Sequence, residues 1–189
     1  MPESFAHISD LHLSELSEAR VTQMLNKRFL GYLSWRRKRR FEHRLEVLQA
    51  LRQDLRSRMG QQVVITGDLT HIGLPTEFRQ ARDWLSETGS ARDIALVPGN
   101  HDACVRSDWD QTFALWQDYL AGDNGEAEYP SLRQRSGIAF IGLNSGCPKP
   151  PLMASGTVAP EQLEKLPYLL RQCAQQGLFR VVYLHHCPI

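Results

Sequence analysis

Long apolar runs are absent from this sequence, and cysteines are few. No stretch approaches the ~20 apolar residues that cross a bilayer, and the start of the chain lacks the basic and apolar regions of a signal peptide. The four cysteines form no Cys-x-x-Cys pair, which argues against a disulfide framework. We therefore expect a cytoplasmic protein with reduced thiols. A metal role for Cys187, close to His185, is left open.

An excess of either charge sign is also missing. Lysine and arginine number 22 against 21 aspartates and glutamates, giving a net charge of +1. Overall charge therefore directs the protein to no particular partner, and no repeat or low-complexity linker divides the chain. The 189 residues, 42% of them apolar, suffice for one domain with a core. We expect a single domain over 1–189.

Short apolar runs alternate along the chain with amphipathic stretches. The apolar runs predict strands over 5–9, 63–66, 94–97, 137–143 and 180–184. Apolar residues near the helical period predict helices over 42–59, 76–87, 107–120 and 160–175. The aromatic stripe of the third helix, Trp109, Phe113 and Trp116, is expected to pack in the core. Repeated strand–helix units are typical of a layered α/β fold.

Polar side chains with metal-binding chemistry follow four of the predicted strands. These are Asp10 and His12, Asp68, the run Asn100-His101-Asp102, and His185. In open α/β sheets, sites form outside the carboxyl ends of the strands, so these side chains are expected to share one edge. Gly67 and Gly99 precede two of these groups and would let the backbone turn sharply beside the site.

The donor atoms of this set are mixed. Carboxylate and amide oxygens together with imidazole nitrogens suit manganese, iron or zinc better than calcium, which prefers oxygen cages. A carboxylate can bridge two cations, and two cations ~3.5–4 Å apart can activate a water and hold the oxygens of a phosphoryl group. The pattern therefore predicts a site with two divalent metal ions that hydrolyses a phosphate ester.

The ordered series Asp10-x-His12, Gly67-Asp68, Gly99-Asn100-His101-Asp102 and His185 resembles the signature of the calcineurin-like metallophosphoesterases. Residues 5–13, 67–73 and 97–102 are most similar to bacterial members related to cyclic-nucleotide phosphodiesterases. The resemblance implies an αββα sandwich of two mixed sheets with a dinuclear site at the strand ends. It also implies hydrolysis of a phosphodiester or phosphomonoester by a hydroxide that bridges the metals.

The resemblance assigns a role to each matching residue. It implies that Asp10 and His12 bind the first metal, and that Asp68 bridges both metals. Asn100 and His185 would bind the second metal. His101 would be the general acid near the leaving-group oxygen, and Asp102 would orient it. These last two roles agree with the chemistry of the residues, because a carboxylate can fix the tautomer of a histidine and support its charge.

The remaining histidines are weaker candidates for metal ligands or catalytic groups. His186 follows His185 on a strand and so should face away from the metals. His71 follows the Gly67-Asp68 turn, where either a substrate contact or a structural loop role is open. His7 lies inside the first predicted strand and is expected to be a core histidine. His43 has no evident role.

One strong block of positive charge occupies 35–40, within a predicted basic helical insertion around 27–44. It is either a solvated helix face or a contact for an anionic membrane, a phospholipid head group or nucleic acid. Because the block follows the first metal motif, it could overhang the site. The sequence does not choose among these, and no protein partner is predicted.

The family usually completes its metal set with a Gly-His-x-His motif, which has no match here. We therefore expect a C-terminally incomplete member with an incomplete second sheet. The leading hypothesis is a metallophosphoesterase acting on a small phosphate ester: a cyclic nucleotide, a nucleotide diphosphate conjugate or a phospholipid head group. The alternatives are a catalytically silent metal- or phosphate-binding fragment, and a nucleic-acid or membrane-binding module using the basic segment.

Overall fold

Two three-stranded sheets form the centre of the protein. The computed structural model describes residues 4–13, 16, 19–42, 44–57, 62–151 and 153–188, so His43 and part of the predicted helix 42–59 lie outside the described residues. The first sheet has the order β1 (Phe5–Ile8), β2 (Gln62–Thr66), β3 (Ile94–Val97), and its strands are parallel. The second has the order β4 (Ser131–Arg135), β5 (Ile138–Gly142), β6 (Phe179–Tyr183).

Strand direction distinguishes the two sheets. In the second sheet β4 and β5 are antiparallel while β5 and β6 are parallel, so this sheet is mixed as expected. The described strands of the first sheet are parallel throughout, and their carboxyl ends therefore meet at one edge. The predicted α/β class is confirmed.

Six α-helices and three short turns of other helix types lie in the described part of the chain. They are, in order, a 3₁₀ turn (Val21–Met24), α1 (Arg28–Ser34), a π-helical turn (Trp35–Arg39), α2 (Arg40–Glu42), α3 (Leu45–Ser57), α4 (Pro75–Thr88), a 3₁₀ turn (Phe113–Trp116), α5 (Gln117–Leu120) and α6 (Pro160–Gln175). The predicted basic segment thus consists of α1, the π turn and α2.

Three apolar layers hold the sheets and helices together. Val63 and Ile65 of β2 pack against α3 and α4 on the outer side of the first sheet. Val64, the alternate residue of the same strand, faces the second sheet in a cluster with Phe140 and Tyr183. The far side of the second sheet packs against α6. Since burying both faces of two sheets requires helices outside each, the order is helix, sheet, sheet, helix.

The predicted helix over 107–120 is wrong in its first half. The Thr112 hydroxyl donates to the Asp108 carbonyl at 2.5 Å, and the Asp110 amide donates to the Asp108 carboxylate at 3.1 Å. Such local hydrogen bonds compete with helix formation. Helical backbone begins only at Phe113, and Trp109 is 45% exposed, while Trp116 is buried in the core as expected.

Strand β4 was not predicted, because its sequence contains a single large apolar residue. Arg133 lies in the middle of β4 and is only 3% exposed. Its guanidinium donates to the carbonyls of Ala121 and Ile94, each at 2.7 Å, and so satisfies acceptors that burial removes from water. An arginine in a strand is normally evidence of exposure, and only the tertiary structure supplies these partners.

None of the helices in the described ranges combines the length and apolar composition that a bilayer span requires. The four cysteines are free thiols; Cys104 and Cys173 are buried and Cys187 is exposed.

A fourth apolar cluster attaches the basic segment to the rest of the fold. Trp35 is buried with Ile72 and Leu74, which lie in the loop between β2 and α4. The Arg28 guanidinium donates to the carbonyls of Ile72 and Gly73, at 2.9 and 2.6 Å. The segment is therefore held against the loop that follows Asp68.

Candidate metal centre

The loops after β1 and β2 run side by side and carry three of the expected ligands. The amide of Asp10 donates to the carbonyl of Gly67 at 3.1 Å, and the amide of His12 donates to the carbonyl of Asp68 at 3.0 Å. Asp10, His12 and Asp68 all have positive φ angles, of 57°, 43° and 57°. Residues other than glycine rarely adopt a positive φ angle, and backbone strain of this kind is concentrated at functional sites.

Asp68 lies at the centre of the candidate site and is almost fully buried. One group of possible ligand atoms comes from His12, Asp68 and His101, and a second comes from Asp10, Asp68 and His185. Within each group the atoms lie within 4.8 Å of one another. Asp68 is thus common to both groups, the position that a bridging carboxylate requires. Asp10 shares its group with His185, whereas the resemblance pairs it with His12.

His185 and Asn100 complete this arrangement from the ends of β6 and β3. The Nε2 atom of His185 lies 3.1 Å from Oδ1 of Asn100 and 3.5 Å from Oδ2 of Asp68. The structure therefore brings Asp10, His12, Asp68, Asn100, His101 and His185 together at one edge of the two sheets.

Three histidines of the centre are oriented in the same way. Nδ1 of His12 contacts the carbonyl of Thr70 at 2.8 Å, Nδ1 of His185 contacts the carbonyl of Thr66 at 2.6 Å, and Nδ1 of His101 contacts the carbonyl of His71 at 2.5 Å. A carbonyl can only accept, so Nδ1 carries a proton in each ring, and in a neutral ring Nε2 is the acceptor nitrogen. Metal-binding histidines are held by second contacts of this kind.

Asp102 does not make the predicted hydrogen bond to His101; within the described residues its carboxylate has other partners. It accepts from the amides of Asp68, Thr70 and Gly99 at 2.8, 2.9 and 3.0 Å, and from the Thr70 hydroxyl at 3.0 Å. These buried donors would otherwise be unsatisfied, and they compete successfully for the carboxylate. Asp102 therefore ties the loop of Asp68 to the loop of Asn100.

The two glycines of the motifs allow these loops to touch. Gly67 has a φ of +77°, and a Cβ atom built there would lie 2.3 Å from the amide nitrogen of Gly99. A Cβ atom on Gly99 would lie 2.1 Å from Oδ1 of Asp68. No side chain fits at either position, so the predicted need for glycine follows from close approach at both and, at Gly67, also from the positive φ angle.

The two buried carboxyl groups of the centre, Asp68 and Asp102, have raised pKa values. Burial raises the pKa of Asp68 to about 6, with a further increase from the charge of Asp10, while His185 opposes it. Burial likewise raises the pKa of Asp102 to about 6, with Asp68 adding to the shift. A buried carboxylate needs positive charge nearby, and Asp68 lies among the imidazole nitrogens of His12, His101 and His185. These residues fit a centre for two divalent cations.

A cation from the basic segment reaches this centre. Nη1 of Arg39 lies 3.2 Å from Nε2 of His101, which is itself 4.0 Å from Oδ2 of Asp68. Burial lowers the pKa of His101 and Arg39 lowers it further, while the charge of Asp102 opposes this shift. Sequence reasoning left the role of Arg39 undefined, because it was one of several cations in a row.

The other histidines fall into structural positions. The ring of His71 is 2% exposed and stacks on His12 at 4.9 Å, so it supports a ligand and has little access to substrate. His186 belongs to neither group of possible ligands: its ring meets that of His185 edge to face at 4.9 Å, and its Nδ1 lies 2.8 Å from the Ser145 hydroxyl. The prediction that His7 is a core histidine is wrong: it is exposed, because β1 is the edge strand of the first sheet, although its Nε2 lies 2.8 Å from the Thr66 hydroxyl.

A cavity of about 760 Å³ lies elsewhere, between the segment that leads into β4 and α6. Its walls include Glu128, Tyr129 and Tyr168, and none of the residues of the candidate metal centre lines it. The cavity therefore contributes nothing to the chemistry of the strand ends.

A family model described as calcineurin-like phosphoesterase matches residues 4–184 of the chain. No curated protein matches it. The matched range includes Asp10, His12, Asp68 and Asn100-His101-Asp102, and His185 is the first residue beyond it.

Proposed function

The chain belongs to the calcineurin-like phosphoesterase family, and on this basis we propose that it is a metal-dependent hydrolase of phosphodiesters or phosphomonoesters. The observation that carries the proposal is the shared position of Asp68, whose carboxylate belongs to two groups of possible metal ligands. A protein that binds a single ion needs no such arrangement, whereas two-metal phosphoesterases depend on a bridging group.

Two divalent metal ions, of manganese, iron or zinc, would be held on either side of Asp68. His12 would serve one position, Asn100 and His185 the other, and Asp10 lies beside Asp68 on the His185 side. When bound, the ions would neutralise the charge of the phosphoryl group and lower the pKa of a water molecule.

His101 is proposed to give a proton to the leaving-group oxygen. Its Nδ1 donates to the carbonyl of His71, so the ring is fixed with Nε2 directed at the centre. Because Nδ1 keeps its proton, the acid form would be the doubly protonated ring, and the proton on Nε2, the atom 4.0 Å from Oδ2 of Asp68, would be the one transferred. Asp102 is proposed as a positioning residue that holds the loops of Asp68 and Asn100 together.

Turnover of a chromogenic diester tests the proposal. The parent chain should hydrolyse bis(4-nitrophenyl) phosphate in the presence of manganese, and Asp68→Asn should lose both that activity and bound manganese, because it removes charge from both positions. Asp83→Asn, an exposed aspartate on α4, is the matched control and should behave as the parent. Binding of manganese without turnover of any phosphate ester would favour the silent-fragment alternative, and unchanged metal content in Asp68→Asn would refute the bridging role.

We also propose that the outer face of the basic segment binds an anionic membrane surface on the cytoplasmic side. Phe29, Leu30 and Phe41 are 50%, 47% and 61% exposed, and exposed cations lie among them. Apolar side chains mixed with arginine and lysine suit the interface of an anionic bilayer, where both the leucine and the phenylalanines can be buried without unstacking any base. The four free thiols agree with a cytoplasmic location.

Vesicle sedimentation tests this contact. The protein should bind vesicles of phosphatidylglycerol and phosphatidylcholine, and bind pure phosphatidylcholine much more weakly. Phe41→Ser combined with Leu30→Ser should weaken binding about tenfold or more, from the loss of buried apolar area. Leu163→Ser, which alters an exposed leucine on α6, is the control. Binding to duplex DNA that is stronger than binding to the vesicles would overturn the assignment.

A further inference from the structure

Arg39 differs from the cations that surround it. Arg36, Arg37, Lys38 and Arg40 are exposed, whereas Arg39 is half-buried and its Nη1 contacts Nε2 of His101. The other four extend toward solvent from the same short stretch of helix. One guanidinium of the basic segment is therefore part of the candidate metal centre.

The backbone conformation explains why Arg39, and not a neighbouring cation, contacts His101. The π-helical turn spans Trp35–Arg39, so its first and last residues lie close to the same face. Trp35 on that face is buried against Ile72 and Leu74, and these residues directly follow His71, whose carbonyl orients His101. Anchoring Trp35 in this cluster directs Arg39 to the His101 ring.

The helix before the turn is pressed against the same loop. A Cβ atom at Gly31 would lie 2.5 Å from Cγ2 of Ile72, so α1 approaches the loop as closely as a glycine permits. Arg28, three residues earlier, donates to the Ile72 and Gly73 carbonyls. Arg39 is therefore carried on a docked element rather than on a free side chain at the surface.

We infer that Arg39 forms an anion subsite for the leaving group, so that the preferred substrates are organic diphosphates in which the leaving group is itself a phosphate. The inference rests on the proposed function. If Nε2 of His101 meets the leaving oxygen, the guanidinium 3.2 Å from that atom meets whatever the oxygen is attached to. Its planar fork matches two oxygens of a phosphate, an interaction that a neutral leaving group cannot provide.

The reaction assigned to this subsite is hydrolysis of a phosphoanhydride bond. The water oxygen adds to one phosphorus, and the bond between that phosphorus and the bridging oxygen breaks. The bridging oxygen leaves with the second phosphate, and the two protons of the water end one on each product. A departing phosphate needs its developing negative charge stabilised more than it needs a proton, and a fixed guanidinium supplies that stabilisation.

Substrate comparison tests the subsite. Arg39→Ala should lower kcat/KM for diadenosine diphosphate about 10–100-fold more than that for bis(4-nitrophenyl) phosphate, because a charged bidentate contact is lost only with the first, whereas the changed surroundings of His101 affect both. Gly31→Val keeps the Arg39 side chain but displaces α1, and with it the position of Arg39 at His101, so it should show the same selective loss. Arg79→Ala, an exposed arginine on α4, is the control and should match the parent on both substrates. Equal losses on the two substrates, or no loss, would overturn the inference.

A second measurement does not depend on turnover. Phenylglyoxal modifies accessible arginines, and mass spectrometry reports each site separately. With manganese present, α,β-methylene adenosine diphosphate should slow modification of Arg39 several-fold, while methyl phosphate should not, and Arg79 should react at the same rate in every case. Equal protection of Arg39 by both compounds, or by neither, contradicts the subsite. If the chain hydrolyses no phosphate ester but Arg39 is protected selectively, the proposed function fails and the subsite stands.

Discussion

At the scale of single residues, the orientation of His101 depends on a backbone atom. Its Nδ1 contacts the carbonyl of His71, although the adjacent Asp102 is the partner that the sequence favours. The carboxylate of Asp102 is occupied by Asp68, Thr70 and Gly99. Residue types and their order along the chain predict which groups meet at the centre. They do not predict which donor each acceptor selects, because backbone groups compete on equal terms with side chains.

Replacing His101 separates proton transfer from metal binding. His101→Ala should keep its manganese and lose about 10²–10⁴-fold in turnover, the range of general acids, because the remaining expected ligands are unchanged. The loss should be largest for an alkyl ester and smaller for a 4-nitrophenyl ester, whose leaving group needs less protonation.

The comparison uses kcat for the two esters alongside metal content per chain. His7→Ala, which alters a histidine bonded to Thr66, serves as a control for removal of an imidazole outside the centre. Loss of manganese from His101→Ala would make His101 a ligand instead of the acid.

At the scale of elements, the close contact between the loops after β2 and β3 restricts which residues can replace the glycines of these loops. Gly67 and Gly125 have nearly the same φ, +77° and +79°, but a Cβ atom on Gly125 meets nothing within 4 Å. Gly125→Ala should therefore cost about 1 kcal/mol of unfolding free energy, the conformational penalty alone. Gly67→Ala should cost at least about 2 kcal/mol more, because backbone must move, and should also weaken manganese binding.

Urea denaturation of both variants measures this difference, since the pair shares the conformational penalty and differs in the contact. Equal destabilisation of the two variants would show that the loops after β2 and β3 can move apart at no cost in unfolding free energy.

The elements that the sequence predicts well are those with a strong periodic pattern. Strand Ile94–Val97 and helix Pro160–Gln175 have the expected bounds, because a buried apolar run and an amphipathic stripe each report local burial. Strand β4 and the turn at 107–112 were missed for the opposite reason. Arg133 in β4 and Asp108 in the turn act through hydrogen bonds, and these depend on neighbours that the pattern of apolar residues does not record.

At the scale of the whole molecule, stability should depend on pH with a sign set by the buried carboxyl groups. The pKa of Asp68 is raised from 3.8 to about 6 in the folded protein. Protonated Asp68 thus favours the folded state below about pH 4, and this contribution is lost as the pH rises through about 6. For metal-free protein, the stability of the parent relative to Asp68→Asn should fall across this window by an amount on the order of 2 kcal/mol.

Manganese should reverse the trend, because metal ions bind the deprotonated carboxylate and stabilise only the folded chain. Thermal melting with chelator and with manganese, at several values between about pH 4 and about pH 7, measures both effects. An increase in melting temperature from manganese that does not grow with pH would be inconsistent with carboxylate ligands of raised pKa.

The edge where the strands of both sheets end has a consequence for the order of events in biosynthesis. His185 contacts Thr66 across 119 positions and Asn100 across 85, so the donor atoms converge only after long loops have closed. Closing such loops is entropically costly and slow, so the group of Asp10, Asp68 and His185 forms only once the second sheet is in place, whereas His12, Asp68 and His101 all follow strands of the first sheet. The two groups should therefore become available in order, and full metal content reports on the packing of both sheets.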